Sequence, residues 1–301
     1  MDYDFSKTKE FIKTNKPLIV IIKLVIFSVS IYFLWHVFYQ NYQQFIAVST
    51  NNQLQSLTFI MVSSVLYVGL LIILAKGWKT IVEQLDQNRY SFSLIIIYLK
   101  SLLYKYLPGN VFHYANRQLA ANKQGIRHKT LLKSNLYEAI CLIISAAIFA
   151  VYFINHWYKA QHMVVLIITA VLLAGVIGAY FYSYFKTHLM IIVKSLPYYL
   201  LYFLAIGLIC YYVINHLIDN ELSLLSCIAL YALSWIAGFV IPGAPGGIGV
   251  RESVFVLLSD GLISQADAIF VIAILRLSTT LGEALAYLYA NAVNRFHQNG
   301  T

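Results

Sequence analysis

Two Pro-Gly pairs interrupt an otherwise apolar chain, and each is followed by an arginine nine residues after its proline. Pro108-Gly109 precedes Arg117, and Pro242-Gly243 precedes Arg251. Irregular backbone at membrane depth survives only where it is buried in protein or lines a wet cavity. Paired interruptions at corresponding places in two halves of a chain point to a transporter's binding site. We therefore expect the two breaks to meet near the midplane and to hold an anion.

The second break has the residue types that phosphate recognition needs. Gly246, Gly247 and Gly249 let the backbone approach a ligand closely, and they lead into a helix N-terminus whose free N–H groups favour negative charge. Arg251 adds a planar fork suited to a phosphate. A purely architectural role stays open, because glycine-rich turns also serve close helix packing. Pro245 is expected to shape this hairpin together with the two Pro-Gly pairs.

Further charged residues lie close to the second break. Glu252 can pair with Arg251 or Arg276, which either compensates an arginine when no lipid is bound or only locks the hairpin. Arg276 and Glu283 are seven residues apart and share one helix face, so Arg276 is a candidate substrate ligand. Glu138 and Glu283 are candidates for proton or ion coupling. The simpler alternatives are a Glu138 paired with cytoplasmic cations and a Glu283 at a helix end.

Composition indicates the class of protein that must position these residues. Of the 301 residues, 60% are hydrophobic and 11% are charged, and the mean hydropathy is +0.72. Such a chain predicts a polytopic, all-α membrane protein. The formal charge of +9 is therefore read as sidedness rather than as nucleic-acid binding. The predicted spanning segments are 17–38, 57–75, 131–153, 163–182, 198–214 and 264–290.

Two more apolar segments, 91–107 and 222–241, end in Pro-Gly. If 91–107 crossed the membrane, six cations would face outward against the positive-inside bias. We therefore predict that both segments are re-entrant, which gives six spanning helices plus two Pro-Gly hairpins. Eight plain transmembrane helices remain the alternative. The six cations are Lys105, Arg117, Lys123, Arg127, Lys129 and Lys133.

This topology predicts one integral membrane domain, 1–301, built from an inverted repeat. The order spanning, spanning, re-entrant, spanning occurs over 17–153 and again, in the opposite orientation, over 163–290. Both termini are then cytoplasmic, and the expected location is the plasma membrane, the inner membrane in a bacterium. On the same topology Arg117 has a second interpretation, as an ordinary positive charge on the cytoplasmic side.

At the two breaks the chain resembles the flippase-like family named after the transmembrane region of lysylphosphatidylglycerol synthase. The resemblance rests on Leu107-Pro108-Gly109 with Arg117, and on the segment from Ile241 to Glu252, IPGAPGGIGVRE. It implies a lipid-translocating integral membrane protein, in a family whose substrates are diverse. In the fused synthases a cytosolic aminoacyl-transfer domain follows the membrane region. Because the sequence stops at Thr301, we expect no such domain here.

The expected function is that of a flippase moving an anionic phospholipid or a lipid-linked sugar between leaflets. The alternative is a non-transporting membrane subunit that binds a lipid carrier and docks a cytosolic glycosyltransferase or lipid synthase. The sequence contains no Walker loop, H-E-x-x-H, C-x-x-C or G-x-S-x-G. We therefore expect no enzyme activity, no cofactor and no metal. Membrane lipids are the expected partners, nucleic acid is not, and the oligomeric state is left open.

Overall fold

The computed structural model describes residues 53–106, 112–157, 182–241 and 245–299, together with positions 32, 35 and 39. Every regular element in these residues is helical. In chain order the helices are α1 (Gln53–Asp86), α2 (Ser93–Ser101), α3 (Phe112–Asn122), α4 (His128–Trp157), α5 (Tyr182–Tyr212), α6 (Leu224–Val240), α7 (Val250–Leu258) and α8 (Gln265–Asn299). A 3-10 turn, Leu102–Tyr106, extends α2, and a π turn, Val213–Leu217, extends α5.

Four of the described helices are long and apolar enough to cross a membrane, so the chain is a multi-pass membrane protein. These spans are Leu54–Asp86, His128–Val151, Leu189–Leu217 and Gln265–Val293. They contain the predicted segments 57–75 and 198–214 and nearly all of 131–153 and 264–290, and the helices run further at one or both ends. Hydrophobicity underestimates their length because the helices continue into polar ends. Segment 17–38, apart from positions 32 and 35, and nearly all of 163–182 lie outside the described residues.

Short helices flank both Pro-Gly breaks. Helix α7 has nine residues and rises about 13 Å, less than half of the roughly 30 Å hydrocarbon core, so it does not cross alone. Helix α6, with 17 residues, is also below the length of the four candidate spans. The re-entrant path of both hairpins stays a prediction. The two Pro-Gly pairs themselves lie outside the described residues, whereas Pro245 begins a 3-10 turn, Pro245–Gly247.

The order long, short, short, long runs from α1 to α4 and again from α5 to α8. The helix contacts are also related by an exchange of the two halves, in which α1 takes the place of α5, α2 of α6 and α4 of α8. The α1–α8 contact corresponds to α5–α4, α2–α8 corresponds to α6–α4, and α1 packs against α5 in the middle. This correspondence concerns α1–α4 and α5–α8, and the repeat of 17–153 and 163–290 stays a prediction. The opposite orientation of the two halves stays a prediction.

Small residues allow the long helices to pack closely. A Cβ on Gly282 of α8 would lie 2.8 Å from the carbonyl oxygen of Ser64 in α1. Nearby, the Ser63 hydroxyl donates to the Ser278 hydroxyl at 2.8 Å, so α1 and α8 also share a buried hydrogen bond. Lipid provides no hydrophobic drive for helix association, and close contact between small residues is the usual substitute. The α1–α8 contact thus joins the first element of one half to the last element of the other.

A side-chain bracket turns α5 back into α6. The Asn215 amide donates to the Leu222 carbonyl at 2.9 Å, and its oxygen accepts from the Leu222 N–H at 3.0 Å. Immediately afterwards the Ser223 hydroxyl accepts from the Ser226 N–H and caps α6. Because the bracket fixes a short link, α6 lies back against α5 and carries the second break into the protein interior.

The predicted topology places the links before α6 and before α8 on the same, outer side. Ser259 is buried, so the exposed neighbours Glu221 and Asp260 are the better labelling positions. We expect Glu221→Cys and Asp260→Cys both to react with an impermeant thiol reagent added outside intact cells. The native Cys141, Cys210 and Cys227 are buried and provide a low background. Labelling of Asp260→Cys only after the inner side is opened would replace the re-entrant hairpin by plain spans.

Candidate functional site

Described residues on either side of the two breaks line a cavity of about 110 Å³ in the interior of the protein. Its walls come from the 3-10 turn after α2, from α3 and α4, and from α6, α7 and the glycine-rich turn between them. Helices α1, α5 and α8 close the remaining sides. The volume is comparable to that of about three or four waters in the liquid. Five lining residues carry formal charge: Lys105, Arg117, Glu138, Arg251 and Glu283.

The glycine-rich turn lies in backbone contact with α6. Gly247 has φ +74°, and a Cβ there would lie 3.1 Å from the Gly238 carbonyl oxygen. Gly246 has φ +61°, and its Cβ would lie 3.1 Å from the Tyr106 ring of the first hairpin. Both positions therefore require glycine for conformation and for space. Both glycines are thus used for close packing, which is one of the two roles considered for them. They also line the cavity, and their contact with a substrate stays a prediction.

Arg117 on α3 forms an enclosed ion pair with Glu138 on α4. Its Nη1 donates to Glu138 Oε1 at 3.2 Å, and its Nη2 donates to Glu138 Oε2 and, at 2.7 Å, to Asn135 Oδ1. The Tyr98 hydroxyl also donates to Glu138 at 2.8 Å. The side chain of Arg117 is only 2% exposed. The interpretation of Arg117 as an ordinary cytoplasmic charge is therefore wrong, because the hairpin turns it inward to this carboxylate.

Three aromatic rings surround the same guanidinium. Its carbon lies 4.5 Å from the ring centre of Trp78, 4.7 Å from that of Tyr98 and 5.2 Å from that of Tyr114. A desolvated cation over an aromatic face gains up to about 2 kcal/mol. The indole N–H of Trp78 donates to the Ser134 hydroxyl at 3.0 Å, which fixes the ring between α1 and α4. Trp78, Tyr98 and Tyr114 thus form an aromatic box that holds Arg117 in place. The hydrogen-bond partners of Glu138 described above, Arg117 and Tyr98, both belong to the first half of the chain.

A second ion pair, Lys105 with Glu283, joins the two halves. Lys105 ends the 3-10 turn of the first hairpin, and Glu283 lies on α8 with a side chain that is 1% exposed. Lys105 was counted among six surface cations expected on the cytoplasmic side, and this count is corrected because the turn directs its amine to Glu283. Arg117 leaves that set as well. The other four are exposed, so the positive-inside argument for a cytoplasmic location now rests on them: Lys123, Arg127, Lys129 and Lys133.

Glu252 makes two contacts that stabilise the start of α7. One oxygen accepts from the Gly249 N–H at 2.6 Å, and the other pairs with Arg276 Nε at 2.5 Å. Arg276 also donates to the Gly246 carbonyl at 3.4 Å. Of the two partners considered for Glu252, the structure therefore selects Arg276. Glu252, Arg276 and Gly249 lie behind the glycine-rich turn rather than among the residues that line the cavity.

Arg251 differs from the other cavity cations. Among the described residues no carboxylate lies within ion-pair distance of it, and its buried Nε lacks a hydrogen-bond partner. Its nearest charge-related contact is the Trp235 ring, 6.0 Å from the guanidinium carbon. The residue is 8% exposed. A buried guanidinium that lines a cavity and has an unpartnered Nε suits an anion, because charge-assisted hydrogen bonds are among the strong ones.

Unpaired polar atoms concentrate at the cavity. In the part of the chain that the structure describes, eight buried side-chain atoms lack a hydrogen-bond partner, and four belong to cavity-lining residues. These four are His113 Nδ1, Arg117 Nε, Arg251 Nε and Glu283 Oε2. Buried polar atoms are usually satisfied, so such a cluster indicates a place for water or a polar ligand. Within the same residues, no three His, Cys, Asp or Glu side chains come together to hold a metal ion.

Sequence reasoning missed Lys105 and the aromatic box of Trp78, Tyr98 and Tyr114. Lys105 lies three residues before Pro108, so its place next to a break was the available signal. The aromatic residues gave none, since they are scattered over three helices and resemble interfacial residues. His113 also lines the cavity.

A comparison with family models identifies the chain. The model of the lysylphosphatidylglycerol synthase transmembrane region matches residues 20–286. The chain belongs to this family. The resemblance drawn from the two Pro-Gly motifs is thereby confirmed, and the matched range contains both breaks and every charged residue of the cavity. The family name relates this membrane protein to lipid metabolism or transport. A comparison with curated proteins gave no match.

The Arg117–Glu138 pair predicts a large stability difference between two similar substitutions. Glu138→Gln leaves a buried guanidinium uncompensated, and we expect it to lower the free energy of unfolding by about 3–5 kcal/mol. Glu83→Gln serves as the control, because its Lys79 partner, at 3.2 Å, is a quarter exposed, and a loss below about 1 kcal/mol is expected. Thermal unfolding in detergent compares the two. Equal melting temperatures would show that the buried pair contributes nothing.

Proposed function

We propose that the protein is a lipid flippase that moves an anionic phospholipid between leaflets by holding its phosphate in the central cavity. The observation that carries this proposal is Arg251, a buried guanidinium without a described counter-ion, facing a cavity lined by residues on either side of the two Pro-Gly breaks. A charge at membrane depth costs at least about 2.5–3.5 kcal/mol on insertion scales, so retaining it without a partner argues for a ligand.

The charge of the cavity favours a singly charged phosphate. Among the described lining residues, three cations face two carboxylates, a net charge of +1. Glu138 and Glu283 are each matched with one cation, so Arg251 is the charge left for the substrate. One phosphodiester would neutralise it, whereas a diphosphate would bring excess negative charge into a low-dielectric site. Among the expected substrates this supports an anionic phospholipid over a lipid-linked sugar carried on a diphosphate.

The size of the cavity supports the same substrate. A volume of about 110 Å³ accommodates a phosphate group with little else. The remainder of the headgroup and both acyl chains must lie outside it, so the cavity itself holds only the phosphate. Recognition through one shared group fits a family with diverse substrates. The backbone N–H groups of the left-handed glycine turn add a concavity of the kind that binds anions.

Glu283 is the better of the two candidates for ion coupling. Glu138 uses both oxygens for Arg117 and also accepts from Tyr98. Glu283 uses one oxygen for Lys105, while its buried Oε2 has no partner among the described residues. A proton or cation can therefore reach Glu283 without first breaking an aromatic-boxed pair. We propose that the protein acts at the plasma membrane as a transporter, not as an enzyme.

Transport by the purified chain in liposomes tests this function. We expect Arg251→Ala to slow the translocation of a labelled phosphatidylglycerol at least about tenfold, because a charge-assisted hydrogen bond contributes about 1.5–3 kcal/mol. Arg251→Lys should give an intermediate rate, since it keeps the charge but loses the planar fork.

Arg127→Ala is the matched control for charge removal. Its side chain is 79% exposed, and its ion pair with Asp86 is long, at 3.8 Å. Transport by this variant should therefore match wild type. Thermal unfolding of each variant separates loss of folding from loss of binding. Translocation in wild-type vesicles no faster than in protein-free vesicles would rule out a flippase. A stable stoichiometric cytosolic partner found in the same case would favour the docking alternative.

The coupling role of Glu283 predicts a response to a pH gradient. We expect an imposed gradient across the liposome to change the wild-type rate, and Glu283→Gln to remove that change while keeping measurable transport. Glu221→Gln, an exposed carboxylate in the link before α6, is the control and should respond as wild type does. The coupling proposal fails if wild type ignores the gradient or if Glu283→Gln still responds to it.

A further inference from the structure

A second, larger cavity lies directly behind the glycine-rich turn. This groove has a volume of about 680 Å³ and is lined by Ile269, Ile272 and Ala273 of α8 and by Ile248 of the turn. Its polar residues include Glu252 and Arg276, which pair with one another. The groove thus combines an aliphatic wall with a charged pair, which is the lining that suits an amphiphile.

The length of the groove matches one leaflet of a bilayer. Its lining along α8 extends from Ile269 to Thr280, eleven residues or about 16 Å at 1.5 Å per residue. Half of a hydrocarbon core of roughly 30 Å is about 15 Å, the depth that one acyl chain occupies. The groove is therefore long enough for a chain from a single leaflet and too short for a structure that spans the membrane.

Only a thin wall separates the groove from the central cavity. Gly246 and Lys105 line the cavity, whereas their neighbours Gly249 and Tyr106 line the groove. The wall is thus the glycine-rich turn on one side and the end of the first 3-10 turn on the other.

Two long hydrogen bonds tie this wall to α8. Arg276 donates to the Gly246 carbonyl at 3.4 Å, and the hydroxyls of Tyr106 and Thr280 lie 3.3 Å apart. Both distances are at the long end of the range for hydrogen bonds, so these two contacts are weak. The strong contacts of this region with α8 are the Lys105–Glu283 and Glu252–Arg276 ion pairs.

We propose that this groove binds one acyl chain of the transported lipid, while the phosphate of that lipid occupies the central cavity. The inference rests on the proposed function and adds to it the position of the lipid tail. A lipid straddling the wall places its charge beside Arg251 and its chain against Ile269, Ile272 and Ala273. Arg276 then lies where the lipid leaves the cavity, paired with Glu252, so no extra charge is uncovered as the chain passes.

Photolabelling with a phosphatidylglycerol that carries a diazirine near the end of one acyl chain tests the groove directly. Cleavage after Arg251 and Arg276 releases residues 252–276, which contain the three apolar groove residues of α8. We expect wild type to be labelled in this peptide, and Ala273→Trp to reduce the labelling at least about threefold by filling the groove. Leu281→Trp is the control: it adds similar bulk to an exposed position on the same helix and should leave the labelling unchanged.

Labelling needs no transport, so the two proposals can fail separately. If Ala273→Trp reduces the labelling but the wild-type protein moves no lipid, the acyl-chain groove is supported and the flippase proposal is ruled out. Transport with equal labelling of wild type and Ala273→Trp would overturn the groove. A photoreactive residue at Ile272 offers a further check. Trp35 of segment 17–38 also lines the groove, so crosslinks to this segment are expected beside those to lipid. Crosslinks to the segment without any to lipid would overturn the proposal.

Discussion

The cost of an uncompensated charge in a low-dielectric interior organises the centre of this protein. Three cations and two carboxylates face one small cavity, and two ion pairs neutralise all but one of them. The Arg117–Glu138 pair connects the consecutive helices α3 and α4, and the Lys105–Glu283 pair connects the first hairpin with the distant α8. The geometry of the first hairpin therefore depends on pairing. Arg251 is the exception, because among the described residues it has no carboxylate partner.

The sequence alone predicted the Pro-Gly interruptions of the helices. It did not predict which side chains from other helices pack around them. The motif spacing located Arg117 and Arg251 at one cavity, because proline and glycine act through local backbone geometry. Hydrophobicity found four described spans but ended them early, since it does not register helix that continues past the apolar core. The partners of Arg117 could not be predicted, because Trp78, Tyr98 and Glu138 meet only through packing of separate helices.

Charge counting along the chain also met a physical limit. Lys105 and Arg117 were treated as evidence for sidedness, although a cation near a break can turn inward and pair. The positive-inside bias applies to cations in loops at the surface, and sequence alone does not separate these from buried ones. For Glu252 the sequence offered Arg251 and Arg276 as partners, and the choice followed from α8 crossing behind the turn. The missing information was in each case the path of another helix.

The ion pairs that join each short helix to the following long helix have opposite polarity. In the first half the short helix supplies the cation, Arg117, and the long helix supplies Glu138. In the second half the short helix supplies Glu252, and the long helix supplies Arg276. Exchanging the two halves would therefore place a carboxylate where the other half has a cation. The local electric fields at the two short helices thus differ in sign, although the order of long and short helices is the same.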